Sequence, residues 1–190
     1  MRKAVIVLAL VAPLEGCVGK VGMSTAINLR APFDAQAASG QLEPGSATIN
    51  GSAFINWLDD RVVTCAGKEV HLTPATEYAI ERFSHMYGTT PTYTSTSMRS
   101  VYKVMYRRQV FFPDPFTYKL NARSTTCNAR GEFVFHDVKD GDYFVTAGIY
   151  WKVDPITADI NWPMDTDQGG SLAKRVSVAN GQADHLVLSK

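Results

Sequence analysis

The sequence predicts an all-β protein built as a β-sandwich. Its 190 residues contain several short runs in which apolar and polar residues alternate, the pattern of strands with one buried face. Turn sequences rich in Gly, Asn and Asp separate these runs, and one segment alone has helical spacing. Short strands separated by turns, with almost no helix, are typical of two packed antiparallel sheets.

Two strand segments are predicted in the first half of the chain. The first spans residues 46–55 and the second spans residues 62–73. In the second segment Val70 and Leu72 alternate with polar neighbours, as in a strand with one buried face. Pro74 ends that segment, because proline lacks the N–H that a sheet interior requires.

One helix is predicted, over residues 77–87. Tyr78, Phe83 and Met86 have near-helical spacing there. Thr76 is suited to cap the first turn, and Gly88 is suited to end the last one.

The second half of the chain contains the clearest strand patterns. Residues 118–126 are rich in strand-forming side chains, residues 128–131 have turn composition, and Phe133 and Phe135 then alternate with polar neighbours. This order predicts a hairpin. A long strand is predicted next, over residues 143–153. Its buried face is expected to consist of Tyr143, Val145, Ala147 and Ile149.

The last two strands are predicted to form a second hairpin. They span residues 171–178 and 185–188, with Asn180 and Gly181 between them. Asn-Gly is a strong hairpin signal because both residues tolerate a positive φ.

The N-terminus predicts export from the cytoplasm. Arg2 and Lys3 precede an apolar run over residues 4–14, which is the order of a secretory signal peptide. The run is well short of the ~20 residues that a membrane-spanning helix needs. We therefore expect an export signal and not a permanent membrane span.

Residues 14–17, Leu-Glu-Gly-Cys, resemble the lipobox of bacterial lipoproteins. The resemblance implies that residues 1–16 are removed, that Cys17 becomes the lipid attachment site and that the acyl chains, palmitate among them, anchor the protein. Two or more acyl chains give stable anchoring where one does not. Val18 after the cysteine implies delivery to the outer membrane.

An ordinary signal peptide with a different cleavage site is the alternative, and Glu15 is unusual for a lipobox. On the lipoprotein interpretation, residues 17–45 form a flexible tether, because they are small and polar with little periodicity. The folded domain is then expected over residues 46–190.

A disulfide between Cys65 and Cys127 is the default interpretation once Cys17 is assigned to lipid. The two cysteines are an even pair in an oxidising compartment. A metal pair or a redox pair is the alternative. Both fit less well, because the chain has neither metal-ligand spacing around the cysteines nor a Cys-x-x-Cys motif.

Three segments, 67–76, 126–135 and 138–147, resemble the carboxypeptidase regulatory-like domain family. The resemblance covers roughly residues 45–76 and 117–153. It implies a transthyretin-like (prealbumin-like, Ig-like) β-sandwich of about seven strands. Domains of this family are usually non-catalytic modules, so the resemblance implies no enzyme activity.

Residues 77–117 interrupt the family pattern as an insertion. Long polar loops inserted between strands often carry binding sites. The insertion contains aromatic side chains next to arginines, and we expect a partner-binding surface there; a solvated loop without a partner is the alternative. The candidate partner-binding residues are Tyr93, Tyr102, Tyr106, Arg107, Arg108 and Phe111.

No motif for catalysis, a cofactor or a metal is found. The four histidines are scattered, and no nucleophile elbow, zinc-protease motif or phosphate-binding loop occurs. After removal of residues 1–16 the chain has 17 basic and 17 acidic side chains, so its composition gives no case for nucleic-acid binding.

The sequence therefore predicts a non-catalytic lipoprotein of the cell envelope that acts as a binding or structural module at the membrane surface. The membrane through the N-terminal lipid and an envelope protein are the expected partners. The alternative function is a lipoprotein subunit that anchors an envelope secretion or pilus machine in the outer membrane. The predicted location is the cell envelope, at the outer membrane.

Overall fold

Two β-sheets pack face to face in the computed structural model, which describes residues 25–57, 61–88, 92–95, 109–152, 167–183 and 185–190. The predicted all-β sandwich is confirmed. Eleven strands lie in these residues, more than the seven expected, and three helices accompany them. In chain order the elements are β1 Thr25–Asn28, α1 Ala35–Gln41, β2 Ala47–Asn56, β3 Val62–Thr64, β4 Glu69–Pro74, α2 Glu77–Tyr87, β5 Thr92–Ser95, β6 Gln109–Phe112, α3 Phe116–Leu120, β7 Arg123–Thr126, β8 Glu132–Val138, β9 Gly141–Lys152, β10 Asp167–Val178 and β11 Leu186–Ser189.

The larger sheet has five antiparallel strands in the order β5-β10-β9-β4-β7. The smaller sheet is centred on β2. Strand β11 runs parallel to β2 along one edge, while β3 and β8 pair antiparallel with successive parts of the opposite edge. A separate two-stranded parallel pair joins β1 to β6.

The core lies between the two sheets and follows the alternation of the strands. Tyr143, Val145, Ala147 and Ile149 are all buried, which confirms the predicted inner face of the long strand. Phe133 and Phe135 of β8 meet them from the smaller sheet as part of one apolar cluster. Burial of an aromatic side chain removes ~150 to 250 Å² from water, so these rings are a large part of the core.

The predicted disulfide is present and buried, with Cα atoms of Cys65 and Cys127 5.8 Å apart. Cys65 lies between β3 and β4, and Cys127 lies between β7 and β8. At both points the chain crosses from one sheet to the other, so the bond ties two crossovers together. A closed loop of this length, 62 residues, corresponds to ~4 kcal/mol in the chain-entropy account.

Helix α2 has the predicted bounds, and its ends are formed by the predicted residues. The Thr76 side chain accepts a hydrogen bond from the Ala79 N–H (3.3 Å), and Gly88 ends the helix with a φ of 97°. The helix lies on the outer face of the larger sheet, where Phe83 stacks on Phe144 with ring centroids 4.0 Å apart. Two further helices, α1 and α3, were not predicted.

The prediction of one strand over residues 62–73 was wrong. The segment contains β3 and β4, which belong to different sheets. A tight turn at Ala66 and Gly67 separates them, with Gly67 at a φ of 70°.

Both predicted hairpins were wrong in pairing, although their turns are present. Strand β7 pairs with β4 while β8 pairs with β2, so the turn at 128–131 joins two sheets. Tyr118, expected in a strand, lies in α3. After the Asn180-Gly181 turn, β11 leaves β10 and joins β2 in the other sheet. The turn sequence therefore predicts where a strand ends, but it does not determine which of the two sheets the next strand joins.

The predicted flexible tether over residues 17–45 was wrong from Thr25 onward. Asp34 caps α1 by accepting the Ala37 N–H (2.9 Å). Gln41 then joins this helix to the larger sheet, because its carbonyl accepts the Tyr143 hydroxyl (2.9 Å) and its amide donates to the Asp142 carbonyl (2.9 Å). Cys17 and the signal segment lie outside the described residues.

None of the helices in the described part of the chain is long and apolar enough to cross a membrane.

Candidate functional site

A groove lies on the outer face of the larger sheet, between α2 and α3. We call it the α2–α3 groove; its floor is formed by His71, Thr73 and Thr146, and its volume is about 320 Å³. It opens beside the Phe83–Phe144 stack, where α2 is held against the sheet.

The floor of the groove is polar because of strand alternation. On β4, Val70 and Leu72 face the core, so His71 and Thr73 face the helices. Thr146 of β9 is the register partner of His71 and faces the same side. An imidazole and two hydroxyl groups thus lie on adjacent strands, where they can donate and accept hydrogen bonds.

The α2 wall of the groove includes Met86 and Tyr87. Met86 is 39% exposed, and its flexible thioether side chain adapts to irregular apolar surfaces. The Tyr87 hydroxyl is 2.8 Å from the Ser171 hydroxyl. Burial raises the pKa of Tyr87, so this residue is a neutral hydrogen-bonding phenol near pH 7.

The α3 wall is formed by Tyr118 and Lys119, which have opposite surroundings. The Tyr118 ring packs edge-on against Tyr78 (4.9 Å between centroids) and Phe33 (5.5 Å). Its burial raises the pKa of the phenol well above the ordinary value. Lys119 is exposed at the rim, and its ammonium is 3.8 Å from an Asp114 carboxylate oxygen. The α3 wall therefore combines a packed aromatic ring, Tyr118, with a flexible, positively charged side chain, Lys119.

Arg82 links α2 to the elements that form the opposite wall. Its guanidinium carbon lies 4.2 Å from the Phe111 ring centroid and 5.0 Å from that of Tyr118. One of its nitrogens donates to Asp114 (2.9 Å) and to the Tyr78 hydroxyl (3.2 Å). Because this cation lies over two rings and is paired with a carboxylate, it fixes the position of α2 relative to α3.

A second depression of about 380 Å³ lies on the other side of Arg82, Met86 and Lys119. The rest of its lining includes Gln109, Phe111 and Asp114. The three shared side chains therefore separate two adjoining depressions, which gives an extended site along α2.

Of the predicted partner-binding residues, only Tyr93 and Phe111 lie in the described part of the chain, and Phe111 is not among the residues that line the α2–α3 groove. Tyr93 lies in β5, opposite Ala173 of β10, and nothing is described of its side chain. Phe111 is 5% exposed and packs with Leu29 and Tyr78, and it also lines the second depression. The remaining candidates lie outside the described residues: Tyr102, Tyr106, Arg107 and Arg108.

Sequence reasoning missed Met86, Lys119 and Thr146 as site residues. The signal for Thr146 was present, because it alternates with core residues and must face away from the core. Lys119 was hidden by the assignment of residues 118–126 to a strand. Helix α3 has five residues, and its helical character depends on tertiary contacts such as those of Tyr118.

The comparisons with known proteins give one informative result. No family model matches the chain, and no similar sequence is found among curated proteins. The fold is shared with a solved bacterial protein. That structure, from Pseudomonas aeruginosa, is described as a "putative carbohydrate binding protein". The TM-score is 0.62 at 17% sequence identity, over 84% of this chain and 99% of the other. A likeness at this identity shows the fold alone.

Within the ranges that the structure describes, no group of three His, Cys, Asp or Glu side chains is arranged to hold a metal ion.

Proposed function

We propose that the chain is a non-catalytic binding module of the bacterial cell envelope that takes an oligosaccharide in the α2–α3 groove. The composition of the groove carries this proposal. Met86, Tyr87 and Tyr118 supply apolar surface for the C–H faces of a sugar ring. Around them are hydroxyl, imidazole and ammonium groups that match sugar hydroxyls. Sites of this kind combine apolar walls with a few convergent polar groups.

The similar structure supports this proposal. It has the same fold over most of this chain and is described as a "putative carbohydrate binding protein". Because one fold can serve many functions, the support for this chain comes from the groove chemistry together with the likeness.

The proposed location is the envelope, with the module held at the membrane by lipid on Cys17. The lipobox-like residues 14–17 support the lipid. The Cys65–Cys127 disulfide supports an oxidising compartment, because such bonds persist outside the cytoplasm.

The groove is tested by titrating the purified full chain with two probes in a calorimeter. Chitotetraose serves as a neutral oligosaccharide and tetragalacturonate as an anionic one. We expect one of them to bind, and Lys119→Ala and Thr146→Ala each to weaken that binding about tenfold, equal to about 1.4 kcal/mol. Lys68→Ala, an exposed lysine in the turn beside Cys65, is the matched control and should bind as the parent does.

Two results would count against the groove. If neither chitotetraose nor tetragalacturonate binds at millimolar concentration, the assignment of a sugar ligand is wrong. Equal affinity in the Lys119→Ala, Thr146→Ala and Lys68→Ala variants would place the site elsewhere.

The anchor is tested by the intact mass of protein extracted from membranes. We expect a chain that begins at Cys17 and carries added acyl mass. An unmodified chain in the soluble fraction would contradict the anchor without bearing on the groove.

A further inference from the structure

Three large apolar side chains on β6 and α3 are exposed and lie close together in the sequence. Phe112 is 52% exposed, Phe116 72% and Leu120 64%. In the described part of the chain only seven large apolar side chains are exposed, and these three fall within nine consecutive residues. Scattered single apolar residues are normal on a surface, but a cluster of aromatic and aliphatic side chains indicates a contact surface.

Helix α3 places two of the three on one side. Phe116 and Leu120 are four positions apart, so they are neighbours on the helix surface. Tyr118, between them in sequence, packs inward against Tyr78. Tyr118 thus packs α3 against the fold, while Phe116 and Leu120 are exposed.

This surface begins in the strand pair through which the N-terminal segment enters the fold. Strand β1 pairs in parallel with β6, so that Thr25 lies opposite Gln109 and Asn28 opposite Phe112. Phe112 is three residues along the pair from Thr25, a distance of about 10 Å at the usual strand rise.

The chain between the lipid site and the fold is short. Seven residues separate Cys17 from Thr25 in the sequence. Fully extended, that connection reaches about 26 to 29 Å. A lipid on Cys17 would therefore keep the start of β1 within about 29 Å of the bilayer surface, which leaves Phe112 and α3 able to reach it.

We propose that Phe112, Phe116 and Leu120 form a membrane-contact surface, which enters the interfacial region of the bilayer to which the lipid on Cys17 is anchored. The proposal rests on the lipid anchor proposed above. Apolar side chains at an interface are typically buried by about 5 to 10 Å, at the boundary of headgroups and acyl chains. A second contact besides the lipid gives the module one orientation on the membrane.

The test places a tryptophan in the surface of the acylated full-length protein. Phe116→Trp and Leu120→Trp are reconstituted in phosphatidylethanolamine–phosphatidylglycerol vesicles, with and without brominated acyl chains that quench nearby tryptophan. Val62→Trp is the control, because Val62 is 55% exposed but lies on β3 of the smaller sheet. Trp57, Trp151 and Trp162 give all variants the same background.

We expect the emission added by the tryptophan at position 116 or 120 to shift to the blue on membrane binding and to be quenched at least twofold by the brominated acyl chains. The emission added by the tryptophan at position 62 should show neither the shift nor the quenching. Protein that floats with the vesicles while the new tryptophan at 116 and 120 remains unquenched would overturn the contact and leave the anchor intact. A surface that binds a protein partner or another part of this chain would give that same unquenched result. Protein that does not float with the vesicles would overturn the anchor and this surface together.

Discussion

Single side chains hold the two helices in the positions that create the groove. The Phe83 and Phe144 rings are nearly parallel, at 7°, and both are buried. Arg82, one position before Phe83, connects α2 to Asp114 and to two aromatic rings. At the residue level the site depends on aromatic packing and on one partly buried cation, Arg82. Sequence periodicity indicated only the helix that carries Phe83 and Arg82.

Phe83→Ala is expected to lower the free energy of unfolding by about 3 to 5 kcal/mol, because it removes a buried ring from a stacked pair. Urea unfolding measures the change. Phe116→Ala is the matched control, since its ring is exposed, and it should change stability by less than about 0.5 kcal/mol. Equal losses in the two variants would contradict the role of the stack.

Glu81 gives a prediction about pH. Its carboxylate accepts the Ala31 N–H (2.9 Å) and the Arg30 N–H (2.9 and 3.0 Å), which ties the segment after β1 to α2. These hydrogen bonds, that of Ala31 first, lower the pKa of Glu81 below its ordinary value of 4.5. A group with a depressed folded-state pKa contributes stability above its unfolded-state pKa and loses it as the pH falls through the folded-state pKa.

Glu81→Gln is therefore expected to be less stable than the parent at pH 7, with the difference shrinking below pH 4.5. Urea unfolding at pH 7 and pH 3 measures the difference, and hydrogen exchange of the Arg30 and Ala31 amides reports it locally. A difference that is the same at both pH values would show that the charge on Glu81 does not hold this segment.

At the scale of elements, close approach between strands makes some glycines necessary. A Cβ on Gly51 of β2 would lie 2.4 Å from a Phe133 ring carbon and 2.6 Å from the Leu186 carbonyl oxygen. Gly51 therefore lets β8 and β11 approach β2 from both sides. Gly40 in α1 has open space around its Cβ position.

These two glycines give a matched pair of substitutions. Gly51→Ala is expected to destabilise the protein by about 1 to 3 kcal/mol through overpacking. Gly40→Ala is expected to stabilise it by up to about 1 kcal/mol, because alanine is the better helix former. Thermal unfolding of both variants checks the signs. Gly51→Ala with the stability of the parent would mean that β2 has room for a side chain.

Which elements could be predicted depended on whether the signal was local. Helix α2 has its cap, periodicity and stop within thirteen residues, and its predicted bounds were confirmed. The long β9 strand likewise shows its buried face by alternation. The Asn180-Gly181 turn was also correct, but the partner of β11 is β2, with Leu186 opposite Gly51, 135 positions earlier in the chain. Pairing at that distance is set by the sandwich core and leaves no local pattern.

At the scale of the whole molecule, the predicted sandwich was correct, while the candidate site could not be derived from the sequence. The groove joins β4, α2, α3 and β9, four elements whose contact is created by the fold. The sequence predicted a binding surface in the inserted region after β4, which includes α2, one wall of the proposed groove. The stretch of aromatics and arginines in which it placed the binding residues lies mostly outside the described residues and stays a prediction.

The proposed binding site and the proposed membrane-contact surface are close together in the chain. Strand β1, which follows the N-terminal segment, pairs with β6, and β6 precedes α3 by three residues. The groove and the membrane-contact surface are thus both on α3, with Lys119 facing one and Phe116 the other. A ligand captured in the groove would be held close to the membrane.

The most direct test of the central claim is a chemical-shift titration of the isotope-labelled full chain with the oligosaccharide that binds in the calorimeter. We expect the amides of the second half of α2, of α3 and of β4 and β9 around His71 and Thr146 to shift in one saturable process. Shifts confined to the smaller sheet, or none at saturating sugar, would contradict a binding site in the α2–α3 groove.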